Sequence, residues 1–174
     1  MKKLLILVAV ILGVSTVSAQ KFARINSNDI VMAMPEVTEI EKNLQTLAKD
    51  WQEQLEQIQV EFNNKMADYE KNQATMAATI KQMKQQELQQ LQQRFGEIQQ
   101  LAQQDMQKKQ AELFEPVQKK AQNAINKIAK ASGYLAVFES ASLVYFDEAQ
   151  LVDIAPLVKK ELGIVEKPAT APAK

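Results

Sequence analysis

Two long stretches of the chain carry apolar residues at helical spacing. In the first, apolar positions three or four residues apart are separated mostly by polar ones, and they are Val37, Ile40, Leu44, Leu47, Trp51, Leu55, Ile58, Phe62, Met66 and Tyr69. The second stripe comprises Leu88, Leu91, Phe95, Ile98, Ala102, Met106, Leu113, Val117, Ala121, Ile125 and Ile128. Each stripe is narrow, which is typical of a helix that faces one partner helix. The pattern predicts an antiparallel helical hairpin over residues 27–131, reversing where the stripe is weakest, at 73–82.

Short elements precede the first stripe. Residues 22–26, Phe-Ala-Arg-Ile-Asn, predict a short strand, and the polar residues at its end and behind it are good helix N-caps. A short helix is expected over Asp29 to Ala33. Pro35 then suits the first turn of the long helix, where its missing N–H is not needed.

Two further strands and a last helix are expected after the hairpin. Gly133 can end the second long helix in the left-handed conformation. The apolar segments 134–138 and 143–146 are separated by Glu-Ser-Ala-Ser, so they are interpreted as a β-hairpin. Asp153 is predicted to cap a helix over residues 154–162, which Gly163 would close.

These elements predict an α+β fold, mainly α, with a helical-hairpin arm (coiled coil) projecting from a small β-containing body. The body would be discontinuous, comprising residues 20–35 and 113–164, and the arm would comprise 36–112. Residues 165–174 are rich in Pro and Ala and are expected to be disordered. Three short strands bury little surface alone, so the body is expected to oligomerise.

The N-terminal segment has the features of a secretory signal. Lys2 and Lys3 precede the apolar run 4–17, and Val17-Ser18-Ala19 provides small residues before Gln20. Residues 1–19 are therefore predicted to be a signal peptide, cleaved to leave a soluble exported protein. The run is shorter than the roughly 20 residues of a spanning helix, so stable membrane insertion is not expected.

Composition argues against most catalytic functions. The chain has 21 Lys+Arg and 21 Asp+Glu, and it contains neither His nor Cys. Imidazole bases, thiol nucleophiles and thiolate or imidazole metal sites are thereby excluded. A Lys or carboxylate enzyme is not excluded by composition, but no acid–base constellation stands out, and Glu56 with Glu61 is not a convincing pair. No enzyme activity, cofactor or metal is predicted, and the absence of a basic field argues against nucleic acid as a partner.

The order of elements resembles the Skp/OmpH family of periplasmic chaperones. The segments that carry the resemblance are Phe22-Ala-Arg-Ile-Asn26, Leu135-Ala-Val-Phe138 and Val152-Asp-Ile154, placed around the long hairpin. The resemblance implies a periplasmic homotrimer whose arms enclose a cavity and hold unfolded outer-membrane β-barrel proteins. Well-known members are strongly basic, whereas this sequence has a pI near 6.4. The resemblance is therefore not taken to imply a lipopolysaccharide site in this chain.

Two sets of residues are candidates for binding. Between residues 71 and 86 there are three lysines and no acid, with apolar residues among them. The possible client-contacting set at the tip is Lys71, Met76, Ile80, Lys81, Met83 and Lys84. The alternative is that Ile80 and Met83 close the seam between the helices and that the lysines are a solvated face. The predicted oligomer or body core is Phe22, Ile25, Leu135, Val137, Phe138, Val144 and Phe146.

Two functions fit these features. The first is an ATP-independent holdase, since the sequence has no Gly-rich phosphate loop. The second is a structural coiled-coil envelope protein that tethers or spaces a specific partner.

Overall fold

The computed structural model of the protein describes residues 20–165. The predicted signal peptide, residues 1–19, lies outside the described residues, as does the tail from residue 166 onward. Within 20–165 the chain divides into two units. Residues 20–30 and 121–165 form one, called here the sheet unit, and Val31–Lys120 form the other, the hairpin unit.

The sheet unit contains three parallel strands. Strand β1 (Lys21–Ile25) is central, between β2 (Tyr134–Glu139) and β3 (Leu151–Asp153). Phe22 is opposite Ala136 on one side and Leu151 on the other. The first strand of the chain is therefore held on both sides by strands from the C-terminal end of the chain.

The predicted C-terminal β-hairpin is wrong. Residues 143–146 form no strand, and the third strand lies later, at Leu151–Asp153. Both β2 and β3 pair with β1 in parallel, on its opposite edges, so they are not neighbours as the strands of a hairpin would be. The turn that was expected is a 3₁₀ helix, Ser140–Ser142. Phe146 instead lies with its ring 4.5 Å from the guanidinium carbon of Arg24.

The helices begin and end close to the predicted positions. Helix α1 (Ser27–Met32) follows β1, and α2 (Pro35–Asn72) starts with Pro35 in its first turn as predicted. Helix α3 (Ala78–Ser132) returns, and Gly133 follows it with a φ of 71°. The last helix, α4, is Ala155–Glu161, and Gly163 beyond it has a φ of 68°. No helix in residues 20–165 is both long enough and apolar enough to cross a bilayer.

Asp153 has a different place from the one predicted. It is the last residue of β3, and its side-chain oxygen accepts a hydrogen bond of 2.9 Å from the backbone N–H of Ala155. The N-cap residue of α4 is Ile154, so the predicted cap at Asp153 is wrong, although the Asp153 carboxylate does accept a hydrogen bond from the first residue of the helix. The sequence pattern also could not show that Asp153 ends a strand.

Cross-helix pairs show that α2 and α3 are antiparallel. In the hairpin unit, Trp51 donates to Asp105, and Gln85 donates to Tyr69. The midpoint of these two pairs falls at residues 78 and 77, respectively. The predicted reversal at 73–82 is therefore confirmed, with residues 73–77 outside both helices.

Both units have their own buried residues. Those of the sheet unit are Ala23, Ile25, Ile30, Ala121, Ala124, Ile125, Ile154 and Val158. Those of the hairpin unit are Val31, Met34, Val37, Ile40, Ile58, Leu88, Leu91, Ala102 and Val117. Most of the hairpin residues belong to the two predicted stripes, so the stripes do form the seam between the helices.

Candidate functional site

The reversal between α2 and α3 is made without glycine or proline. The backbone N–H of Thr75 donates to the carbonyl oxygen of Asn72 at 3.0 Å, and the Thr75 hydroxyl donates to the same oxygen at 3.1 Å. Ser, Thr and Asn side chains favour turns because they bond to nearby backbone groups. Helix α3 then begins with a bond of 3.0 Å from the N–H of Lys81 to the carbonyl of Ala77. We call residues 71–84 the tip segment.

Two large apolar residues of the tip segment, Ile80 and Met83, face solvent. Met83 is 62% exposed and Ile80 is 46% exposed, while Met76 in the turn is half-buried. Ile80 and Met83 therefore do not close the seam, which removes one part of the alternative interpretation. The seam instead starts at Leu88, which is buried.

The three lysines of the tip segment have different surroundings. Lys84 lies 3.6 Å from a carboxylate oxygen of Glu87, so its charge is partly neutralised. Neither Lys71 nor Lys81 has an ion-pair partner among residues 20–165. Lys71 is in the last turn of α2, where a cation offsets the negative end of the helix dipole. The first turn of α3 has no acidic residue, so its positive end is not offset.

An ion-pair network joins the two helices next to the tip segment. Lys65 on α2 contacts Glu87 on α3 and lies 3.6 Å from Glu61. Its hydrogen bond lowers the pKa of Glu87 below the ordinary value, and the bond to Glu87 raises the pKa of Lys65. Both charges are thus favoured, and the helices are tied together just before they reverse.

Lys65 also explains a difference from the predicted stripe. Met66, which the spacing placed on the seam, is exposed, while Lys65 is half-buried between the levels of Phe62 and Tyr69. Residues 65 and 66 each lie three or four residues from Phe62 and from Tyr69, so spacing alone does not decide which of them faces the opposite helix. The lysine takes the inward position because its amino group reaches a carboxylate on the opposite helix.

Trp51 is a seam residue, in keeping with the structural role that its place in the first stripe indicates. It is half-buried, and its indole N–H donates to a carboxylate oxygen of Asp105 at 3.1 Å. Near the open end of the hairpin, Lys120 contacts Glu36, and this bond lowers the pKa of Glu36.

The predicted body residues divide into buried and exposed positions. Ile25 is buried, and Phe22, Val137 and Phe146 are half-buried. Leu135, Phe138 and Val144 are exposed in the single chain. The rings of Phe22 and Phe138 are 6.0 Å apart, so part of this surface already forms an aromatic cluster.

Four further exposed apolar residues of the sheet unit were not predicted. They are Tyr145, Val152, Leu157 and Val165. Tyr145 lies in the segment mistaken for a strand, and Val152 lies in the strand that was missed. The amphipathic pattern of α4 could have revealed Leu157, but a helix of 7 residues gives little periodicity to analyse.

The acidic residues in the described part of the chain form no metal-binding cluster, since no three or more of them are placed to hold a metal ion. Glu56 and Glu61 lie with Glu53 along one face of α2, in an open surface groove that also includes Lys65.

Comparisons with known proteins identify the family. The family model described as outer membrane protein (OmpH-like) matches residues 21–162, so the chain belongs to the OmpH-like family. A crystal structure from Caulobacter crescentus CB15, named as an OmpH-like outer membrane chaperone, has a similar fold. The TM-score is 0.71 at 15% identity, over 86% of this chain and 88% of that chain. No curated protein shows a significant match.

Proposed function

We propose that the protein is an ATP-independent periplasmic holdase that binds unfolded outer-membrane β-barrel proteins and prevents their aggregation. The name of the similar Caulobacter protein supports a chaperone role. Membership of the OmpH-like family supports a function connected with outer membrane proteins. The signal pattern of residues 1–19 supports export.

The tip segment is the observation that carries this proposal. Unfolded barrel strands expose alternating apolar side chains and unpaired backbone groups, which promote aggregation. The tip segment offers exposed apolar residues, Ile80 and Met83, beside two lysines that have no ion-pair partner within residues 20–165. Several weak contacts of this kind, repeated on more than one arm, give avidity and still allow release without nucleotide hydrolysis.

Self-association is part of the same proposal. In the sheet unit, Leu135, Val144, Tyr145 and Leu157 are exposed, and both outer strands of the sheet, β2 and β3, have one open edge among the described residues. Exposed apolar surface beside open strand edges is typical of an interface. A homotrimer formed through this unit would give three arms around one client.

The first experiment measures aggregation of a client. A urea-unfolded outer-membrane barrel protein is diluted into buffer with or without residues 20–174, in the absence of nucleotide, and light scattering is followed. Suppression that saturates near one trimer per client is the expected result. Unchanged scattering with several clients, from a well-folded helical oligomer, would instead favour a structural coiled coil that tethers a specific partner.

Two variants locate the binding surface. Ile80→Gln should weaken client binding about fivefold, because burial of the exposed half of the side chain contributes about 1 kcal/mol. The matched control is Val60→Gln, because Val60 is about equally exposed but lies within α2. Equal effects of the two substitutions would remove the tip segment from the proposal.

The charge of the tip segment is tested separately. The double variant Lys71→Gln/Lys81→Gln should weaken binding of an acidic client at low salt and have little effect at high salt. Lys108→Gln/Lys109→Gln removes the same charge from α3 away from the tip segment and is the control. Unchanged affinity of the tip variant at low salt would show that the lysines are only a solvated face.

A further inference from the structure

Methionine is the only sulfur-containing residue in this chain. There are seven methionines and no cysteine. Their surroundings in the hairpin unit differ widely: Met83 is 62% exposed, Met32 is 50% exposed and Met34 is 2% exposed. Met76 is half-buried in the turn itself. Any oxidation of sulfur in the described residues must therefore occur at these thioethers, and their exposure determines the order.

Oxidation would change the character of the tip segment. A hydroperoxide transfers one oxygen atom to the thioether, so an S–O bond forms and the O–O bond breaks. Sulfur loses two electrons, and the remaining peroxide oxygen takes a proton and leaves as water or an alcohol. The product, methionine sulfoxide, is polar where the thioether was apolar and adaptable.

We propose that Met76 and Met83 form an oxidant-sensitive site, at which sulfoxide formation weakens client holding. This inference rests on the proposed function, because the same tip surface is assigned to client contact. Met83 is 62% exposed, and Ile80, three residues earlier on the same helix, is 46% exposed. Conversion of one or both thioethers would therefore interrupt the apolar part of the contact surface.

The location of the two methionines separates this effect from general oxidation. Met32 precedes α2 and Met76 follows it, so they lie at opposite ends of a helix of 38 residues. At 1.5 Å per residue that helix is about 57 Å long. Met32 is thus an exposed thioether distant from the tip segment, and its oxidation should leave client holding unchanged.

Buried Met34 provides an internal measure of folding. Its side chain is almost fully enclosed, so peroxide reaches it only when the hairpin unit opens. Oxidation of Met83 with Met34 intact would show that the reaction occurs on the folded protein. Leucine is a suitable replacement at the tip, because it has a similar volume, favours helices and cannot be oxidised.

The test uses the full mature chain, residues 20–174, treated with increasing hydrogen peroxide. Peptide mass spectrometry follows sulfoxide at each methionine, circular dichroism follows folding, and titration with an unfolded barrel client gives the affinity. Met83 should be oxidised early and Met34 last. Client affinity should fall about twofold to tenfold for each tip methionine, in the range of measured thioether contacts. Methionine sulfoxide reductases should restore it.

Two variants decide the assignment. Met76→Leu/Met83→Leu should keep its client affinity after peroxide treatment, whereas Met32→Leu should lose affinity as the unsubstituted protein does. Full oxidation of Met83 with unchanged affinity would overturn this inference and leave the holdase proposal intact. If the untreated protein does not hold the client, both the holdase proposal and the oxidation inference are overturned. The untreated sample is sufficient to show this.

Discussion

The seam of the hairpin can be tested with one substitution on α3. Leu91 is 6% exposed and lies beside Ile58 of the opposite helix. Leu91→Ala removes three carbon atoms, a loss of about 2.4 kcal/mol at about 0.8 kcal/mol for each buried carbon. A two-helix seam is bordered by solvent, so the cavity term should be small, and the gain in helix propensity from alanine is only a few tenths of a kcal/mol. We expect the free energy of unfolding to fall by about 2–3 kcal/mol.

The matched control is the same substitution at Leu101, which is on the same helix but 50% exposed. Leu101→Ala should change the free energy of unfolding by less than about 0.5 kcal/mol. Urea unfolding is followed by the fluorescence of Trp51, the single tryptophan, which lies in the hairpin unit. All samples are compared at one protein concentration, because association shifts apparent stability. Equal losses for the two variants would refute the assignment of the seam.

Three further predictions concern single interactions. Asp105→Ala should lower stability by about 1 kcal/mol, because the half-buried indole N–H of Trp51 loses its acceptor; Trp51 fluorescence in urea measures this. Glu87→Gln should reduce stability at neutral pH but not in acid: the lowered pKa of Glu87 contributes stability above the ordinary value of 4.5, and this contribution disappears as pH falls through the lowered value. Gly133→Ala should cost about 1 kcal/mol because φ is 71° there, whereas Gly96→Ala inside α3 should stabilise by about 1 kcal/mol.

Each of these has an outcome that contradicts it. If Asp105→Ala leaves the emission spectrum of Trp51 and the urea midpoint unchanged, the indole N–H bonds to water instead, with no loss of stability. A constant difference between Glu87→Gln and the unsubstituted protein from neutral to acid pH would show that the pair with Lys65 does not contribute. Because a side chain at either glycine would meet nothing within 4 Å, effects of the same sign at the two positions would show that backbone conformation does not decide them.

The helical part of the fold was predictable because its determinants are local. The two stripes place Ile58 and Leu91 on the seam through spacing alone, and Pro35 and Gly133 mark helix boundaries through their backbone preferences. The position of Lys65 was not predictable in this way. Its inward orientation depends on Glu87, which is distant in sequence and becomes a neighbour only after the chain reverses.

The sheet was predicted only in part, because its pairing is not local. Strand β2 was recognised from its apolar run, but β3 has only three residues and ends at Asp153, which also bonds to the next helix. The more apolar segment 143–146 therefore appeared to be the better strand. No local signal shows that both partners pair with β1 in parallel.

The tip segment was predicted as a region but not in its detail. The three lysines and the absence of acid between 71 and 86 are visible in the sequence, and so are the methionines. That Lys84 is partly neutralised by Glu87, while Lys71 and Lys81 are not, depends on the register of α3 and on rotamers. Met83 is exposed because the seam starts only at Leu88, whereas the sequence pattern left open whether Met83 closes the seam.

The central position of β1 has a consequence for the order of folding. This strand precedes both of its partners in the chain by more than 100 residues. The hairpin, by contrast, needs only a short reversal to begin, so it can form while the sheet is still incomplete. Glu36 and Lys120 pair at the open end of the hairpin. Because β1 lies shortly before Glu36 and β2 shortly after Lys120, this pair reduces the length of chain that must close before the two strands meet. We expect the hairpin to form before the sheet and to bring the segments that carry β1 and β2 close to each other.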